Sequence, residues 1–559
     1  MLVAGLWLSM DFILKRYVEN EIKIWTDKPG SNYVIRYEKL KIEIFKGTVA
    51  LKNLEIHYKS SVYDSLKQGG DLPSFTYAVQ LSFLEAKVQN WKELLFQRRF
   101  SVDHVILYSP LITRYRQEDA APQYKYDVDK SSRTNTFREF LDYFNLDSMS
   151  ILNASVAQVS VGKDSTENFA INNINFTLNN LLISSEDFEE EGRFVLPEFE
   201  WDMENISVRL SKTNHAYIGK VTVLKDKLFL SEVALTNDTP YRKFITQQKW
   251  RQTHIEMTAD SISVDISRIM EYFFTNRLHI PSVAISGMKI ELAVNPNKDF
   301  ENSNRPLLSK RIRELKFPLT IDTLRIDHSR IDLKLLLTED RGPGLLTFDR
   351  LNVTVLNLTN DLKNLTKDPW MLVHVKARNQ RQGLLDINFA FNIADKRDSF
   401  NAKGKIEAID FAKFNTITKE PMDMSFENGH LYRLSFDIKG NNDSAHGIVH
   451  FDYEDLQVLL LTGSDKEVES KGHFLKRVMT GLLNGLLKTE NMVDKNNYKY
   501  AVINIEKGPN KGQIGYILDV LSDGIFQITT RRSELSENSP KEMRREKRRL
   551  KKEEKQKDN

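Results

Sequence analysis

The amino-acid sequence predicts a mainly β protein: a long, twisted, mostly antiparallel sheet curled into an apolar groove, with a few short helices at its ends. Three observations predict it. Isoleucine, valine, phenylalanine and threonine recur in runs that alternate apolar with polar, which is the period of a strand. One strand-like unit repeats along the chain. Helical stretches are few and short, and none falls where a βαβ crossover would need it.

The repeat is seen first at Phe100 to Arg114, FSVDHVILYSPLITR. Three further copies start at Phe144, Leu278 and Leu319, which are steps of 44, 134 and 41 residues. Four columns stay apolar in every copy. They are Val102, Leu146, Ile280 and Ile321; then Val105, Met149, Val283 and Leu324; then Leu107, Ile151, Ile285 and Ile326; then Ile112, Val156, Ile290 and Ile331. Between the last two columns lies a break, Ser109-Pro110 in the first copy, where a strand can bend or end. These sixteen side chains are the candidate lining of the groove.

From the amino terminus, Met1 to Leu14 is apolar apart from Ser9 and Asp11, and Lys15 and Arg16 follow. As a helix, 14 residues reach only ~21 Å, short of the ~30 Å hydrocarbon core. Residues 1–16 therefore read as a membrane anchor truncated at its start, as an interfacial amphipathic helix, or as a helix buried at the end of the sheet. The helical pattern continues to Ile24 and stops at Lys28-Pro29-Gly30. Residues 17–470 are the repeated body. Within it Tyr33, Ile35 and Tyr37 alternate, as do Leu40, Ile42 and Ile44; Lys46-Gly47-Thr48 turns the chain back into Val49, Leu51, Leu54 and Ile56. Residues 117–135 and 184–192 are polar loops. Roughly twenty strands result, and at ~4.8 Å each such a sheet runs ~100 Å. One apolar face of that size must be covered or must bind something apolar.

Residues 471–490 hold an amphipathic helix. Phe474, Val478, Leu482 and Leu486 form one stripe, with Leu475, Met479, Leu483 and Leu487 beside it. It either caps the groove or touches a membrane. Residues 491–530 read as a closing hairpin, with Gly508, Gly512 and Gly515 as turn residues. Residues 531–559 are a basic tail, disordered or helical. The tail has twelve Lys/Arg against seven Asp/Glu, a net of +5. The whole chain of 559 residues is +3, so the body carries about −2. A basic tail on a balanced body lacks the footprint of a nucleic-acid binder.

Other chemistry finds little support. Cysteine is absent, which removes disulfides and thiolate catalysis. The close histidine pair, His446 and His450, would sit ~13 Å apart on a strand, too far to share a metal. No nucleophile triad or paired-carboxylate pattern stands out. No catalytic residue, metal site or cofactor is assigned.

The segment Tyr17 to Tyr58 resembles the start of AsmA-like proteins. It carries their pattern as Phe45, Gly47, Val49, Leu51, Asn53, Leu54 and Ile56. The repeated V-x-x-V-x-L-x-x-P-x-I unit is similar to theirs. So is the closing run Ser425 to Leu461, with Gly447, Tyr453, Asp455 and Leu456. The resemblance spans about Tyr17 to Thr530. It implies a transmembrane tether in the inner membrane of a Gram-negative bacterium, with the bulk of the chain in the periplasm. It also implies a likeness to bridge-like lipid carriers, with phospholipid or another acyl lipid as ligand and a role in outer-membrane homeostasis. The short anchor and the basic tail depart from the family pattern.

The expectation is a membrane-tethered carrier, not an enzyme, that shields acyl chains in its groove. Its partners would be lipid, membrane and outer-membrane components, with no nucleic acid. The rival is an assembly factor for outer-membrane proteins whose sheet is filled by its own side chains.

Overall fold

The structure, a computed structural model, describes residues 2–27, 32–69, 73, 75–89, 99–117, 143–161, 166–184, 198–211, 213–301, 304–336, 341–460 and 487–530. The protein is mainly β, and the 22 strands among the described residues belong to one long mixed sheet. The chain divides into two compact units, Met1–Leu235 and Thr236–Asn559.

Unit 1 begins with helix α1 (Leu2–Asp27). It docks on the first strands through Asp11, whose carboxylate accepts the Ile44 N–H at 2.7 Å, and through Val18, which packs on buried Leu40, Ile42 and Ile44. Strands β1 (Tyr33–Arg36) and β2 (Lys39–Glu43) pair in succession with β3 (Thr48–Tyr58). After α2 (Ser60–Gly69) comes β4 (Phe75–Val88), which spans both β5 (Arg99–Tyr108) and β6 (Leu111–Gln117). Then follow β7 (Tyr143–Val161), β8 (Thr166–Ser184), β9 (Glu198–Arg209) and β10 (Asn214–Leu224) as antiparallel neighbours. Strand β11 (Lys227–Asn237) runs across the unit boundary.

Unit 2 repeats the arrangement. After α3 (Tyr241–Gln247), strand β12 (Thr253–Asp265) spans β13 (Leu278–Ser286) and β14 (Lys289–Val294), with α4 (Ile269–Thr275) between. Next come α5 (Leu308–Arg313), β15 (Leu319–Leu335), β16 (Gly344–Thr359), a helical turn α6 (Leu362–Leu365), β17 (Trp370–Asn379), β18 (Gly383–Asn392) and β19 (Phe400–Asp410). Helix α7 (Asn415–Met422), β20 (Met424–Gly440), β21 (Ser444–Leu460), β22 (Tyr500–Glu506) and α8 (Gln513–Thr529) complete it. From β15 to β22 every strand is antiparallel to the next.

The expectation that no helix falls at a βαβ crossover needs one correction. The repeat copies pair with each other in parallel. Strands β5 and β6 run beside β7, and β13 and β14 run beside β15. The register equals the spacing of the sequence copies. Val102 faces Leu146, Val105 faces Met149, Leu107 faces Ile151 and Ile112 faces Val156. Ile280 faces Ile321, Val283 faces Leu324, Ile285 faces Ile326 and Ile290 faces Ile331. A parallel return needs a long connection. In unit 2 that connection passes through α5.

The break column is left-handed in all four copies, and in β7 and β15 the register against the next antiparallel strand shifts there. Ser109, Asn153, Gly287 and His328 occupy it with φ of 49°, 55°, 67° and 53°. In β7 the three-residue step from Ile151 to Ala154 opposes the two-residue step from Phe176 to Ile174, and in β15 the step from Ile326 to Ser329 opposes that from Val353 to Leu351, so one residue is inserted at the break. The hydrogen bonds around it repeat as well. The Ser109 and Gly287 N–H groups donate to Leu152 O at 2.8 Å and Asp327 O at 3.1 Å. The Ser155 and Arg330 N–H groups donate to Pro110 O at 2.7 Å and Met288 O at 2.8 Å.

The cores differ. Unit 2 holds an extended buried cluster that includes Phe391, Phe400, Ile438, Val449, Phe451 and Val520. Helix α8 closes it at the β21–β22 end. There Gly524 lets the helix approach so near that a Cβ would lie 2.8 Å from the Val449 side chain. The 491–530 stretch, expected as a hairpin, is thus one strand followed by a 17-residue helix.

Candidate ligand-binding cavity

Beside the filled core, unit 2 leaves open a cavity of about 1980 Å³. Ligand sites commonly run ~300–1,000 Å³, so this one has room for a large guest. Alternation along the strands builds its wall. On β17 Val373 and Val375 point into it, on β18 Phe389 and Phe391, and on β19 Ile406. On β20 Leu431 and Leu434 continue the wall, and on β21 Phe451 and Val458. The other side is α8, through Ile525 and Thr529, and the turn carrying Phe411 and Phe414. Phe411 fixes that turn by stacking on Phe426 at 5.5 Å and meeting Tyr453 edge-on at 6.2 Å. Aromatic pairs of this kind hold their rings in place.

The mouth has a different chemistry. Arg251, Arg305, Arg311 and Lys511 border it, with Asp299 and Asp519 among them. Arg251 is committed to its own loop. Its Nε donates to Lys298 O at 2.7 Å, it also donates to Pro296 O, and its guanidinium lies 4.3 Å from the Phe300 ring centre. Burial lowers the Arg251 pKa; Asp299 raises it and Arg305 lowers it. The Arg305 guanidinium also lies over the Phe300 ring, at 4.6 Å, and its backbone N–H donates to Pro509 O at 2.9 Å. Lys511 Nζ donates to Asp519 at 2.8 Å. Arg311 has no side-chain partner among the described residues. Gln513, at the start of α8, has both amide atoms buried without a hydrogen-bond partner.

None of the sixteen repeat-column residues borders this cavity. Val102 and Leu146 are buried, Ile112 is 39% exposed, and the others are half-buried. Leu324 packs on the edge of the unit 2 core, and Ile331 packs on the smaller cluster of Leu351, Ala377 and Leu385. The stripe Phe474, Val478, Leu482 and Leu486 lies outside the described residues, as does the basic tail. Leu487, which ends the second stripe, lines the cavity.

Of the strands that line the cavity, the closing run Ser425 to Leu461 is visible in the sequence, but nothing in its pattern separates lining from packing. Helix α8 was hidden by its glycines. Its signal is the spacing of Tyr516, Ile517, Val520, Gly524 and Ile528, all buried on one face.

Among the described residues there is no group of side chains placed to hold a metal ion, and no helix long and apolar enough to cross a membrane. No family model matches this sequence, and no curated protein is significantly similar to it.

Proposed function

We propose that the protein is a lipid-binding carrier that takes acyl chains into the unit 2 cavity while the polar head stays at the mouth. The observation that carries this reading is the cavity itself: large, walled by Val, Leu, Ile and Phe, and fringed by cations. Burying one CH₂ is worth ~0.8 kcal/mol, so an acyl chain partitions strongly into such a space without any catalytic group. The resemblance to AsmA-like proteins supports the same reading. It extends the reading to an inner-membrane tether, a periplasmic body and a part in phospholipid movement and outer-membrane homeostasis. The rival, an assembly factor with a self-filled sheet, draws support from the filled cluster beside the cavity.

The test is the lipid content of the full chain purified without detergent and extracted for mass analysis. Wild type should carry acyl lipid. Val375→Trp, which places a large ring in the cavity, should fold normally and lose most of it. Lipid-free wild type, or a Val375→Trp variant with undiminished lipid, would overturn the carrier reading.

A further inference from the structure

The mouth of the cavity differs from its wall in one way that bears on the ligand. It brings together cations without full partners and hydrogen-bond donors without acceptors. Arg311 has no side-chain partner among the described residues, and Arg305 has only the Phe300 ring. Of the other two cations, Lys511 is neutralised by Asp519 and Arg251 is held by backbone carbonyls. The start of α8 adds a second, independent feature. Gly512 occupies its cap position and supplies no side-chain cap, so the first N–H groups of a 17-residue helix are left without one. Such a terminus favours negative charge. Gln513 sits on this first turn with its amide oxygen and nitrogen both buried and unpartnered. A buried amide left without partners is costly, and a polar ligand group at the mouth would relieve that cost. Gly512 has open space where a Cβ would be, so a bulky group can approach the helix start.

We infer that the mouth is a headgroup site selective for anionic lipids, with Arg305, Arg311, Gln513 and the α8 amino terminus as its donors. This rests on the acyl-chain reading above and adds to it the chemistry of the head. Arg305 and Arg311 supply charge-assisted donors to a headgroup oxyanion. Gln513 donates from its amide nitrogen, and the backbone N–H groups of the first turn complete the cradle. The backbone link from Arg305 to Pro509 ties the loop before α5 to the loop before α8, so the two sets of donors are held together.

The experiment is competition between two lipids with identical acyl chains, phosphatidylglycerol and phosphatidylcholine. Equimolar mixed vesicles are offered to the full chain, and the bound lipid is quantified after separation. Wild type should be about tenfold enriched in the anionic lipid, the size of one charge-assisted hydrogen bond gained. The enrichment should fall as salt rises. Arg305→Gln with Arg311→Gln should abolish the preference, with bound anionic lipid falling to the level of phosphatidylcholine, and should leave the thermal melt unchanged. Equal binding of both lipids by wild type would overturn the headgroup site and leave the acyl-chain reading standing. No binding of either lipid would overturn the acyl-chain reading, and this inference with it. A double variant that keeps its enrichment would place the selectivity elsewhere and overturn the assignment. Gln513→Leu is the control for the uncharged donor. It should lower the enrichment by a smaller factor, and an unchanged value would remove Gln513 from the site.

Discussion

Strands β4 to β8 in unit 1 and β12 to β16 in unit 2 share one bulged frame and cover it differently. The frames correspond residue for residue where the backbone is unusual. Ser109 and Gly287, Asn153 and His328, Asn173 and Arg350, and Asn180 and Asn357 all have positive φ at matching places. The covering does not correspond. In unit 2 the frame continues into β17 to β22 and α8, whose apolar side chains form the extended cluster and the cavity. In unit 1, among the described residues, the one buried cluster is Leu40, Ile42 and Ile44, under α1. A recess of about 370 Å³ in this unit is walled mainly by tyrosine and polar side chains, among them Tyr58, Tyr63, Tyr77, Tyr115, Asp64 and Gln117. The repeat therefore sets strand pairing and register. The ligand site comes from what the chain adds after the repeat.

The largest test of this difference removes one core side chain from each unit. Phe400 is 1% exposed and sits between Phe391 at 6.4 Å and Tyr516 at 6.0 Å. Phe400→Ala should cost about 3–5 kcal/mol. It should also loosen α8, since Tyr516 is on that helix. Leu146, the most buried repeat residue of β7, has fewer neighbours to lose, and Leu146→Ala should cost about 2–3 kcal/mol. Calorimetry of the full chain reads both. If Leu146→Ala proves the costlier change, unit 1 is more tightly covered than the described residues show.

A smaller effect tests the frame itself. Gly287 and Ser109 fill the same column, but only one of them has a Cβ. At Gly287, φ is +67° and a Cβ would fall 1.9 Å from Asp260 Oδ2. The carboxylate can swing away, but the backbone strain remains, so Gly287→Val should cost about 2–3 kcal/mol. Ser109→Gly should gain up to about 1 kcal/mol, because glycine enters this region without strain. Urea unfolding measures both. Equal and small effects at the two sites would mean that the bulge is not a fixed element of the frame.

What could be read from the sequence follows from the same physics. The repeat columns were legible because a bulge and its flanking apolar residues recur at fixed spacing. That spacing contained the register, since Val105 pairs with Met149 at the offset of the copies. That the copies are parallel neighbours was not legible. An apolar column has the same pattern whether its partner strand runs up or down. The cavity was hidden for another reason. Val375 and Phe389 alternate like any half-buried strand residue, and whether such a face meets a core or a void depends on α8, whose glycines read as turns. The mouth was hidden because Arg305, Arg311 and Gln513 are far apart in sequence.

The smallest effect discriminates the two frames most finely. In each, an asparagine two residues after the β8 or β16 bulge reaches across to the neighbouring bulge. Asn175 Oδ1 accepts the Asn153 N–H at 3.0 Å, and Asn352 Oδ1 accepts the His328 N–H at 3.4 Å. Each also turns its amide nitrogen back on its own strand, to Asn173 O at 3.5 Å and to Arg350 O at 3.0 Å. Only Asn175 has a further partner, donating to the Asp202 carboxylate of β9 at 2.9 Å. A hydrogen bond to a charged acceptor is worth about twice a neutral one. Asn175→Ala should therefore cost about 1–2 kcal/mol and Asn352→Ala about 0.5–1 kcal/mol. Asp202→Asn keeps the geometry and removes the charge, so it should bring the Asn175 site down towards the Asn352 value. Amide exchange at Asn153 and His328 reports each bulge directly, and both amides should lose protection when their asparagine is removed. If Asn352→Ala costs as much as Asn175→Ala, the link to β9 contributes nothing, and the two frames are equivalent in energy as well as in backbone.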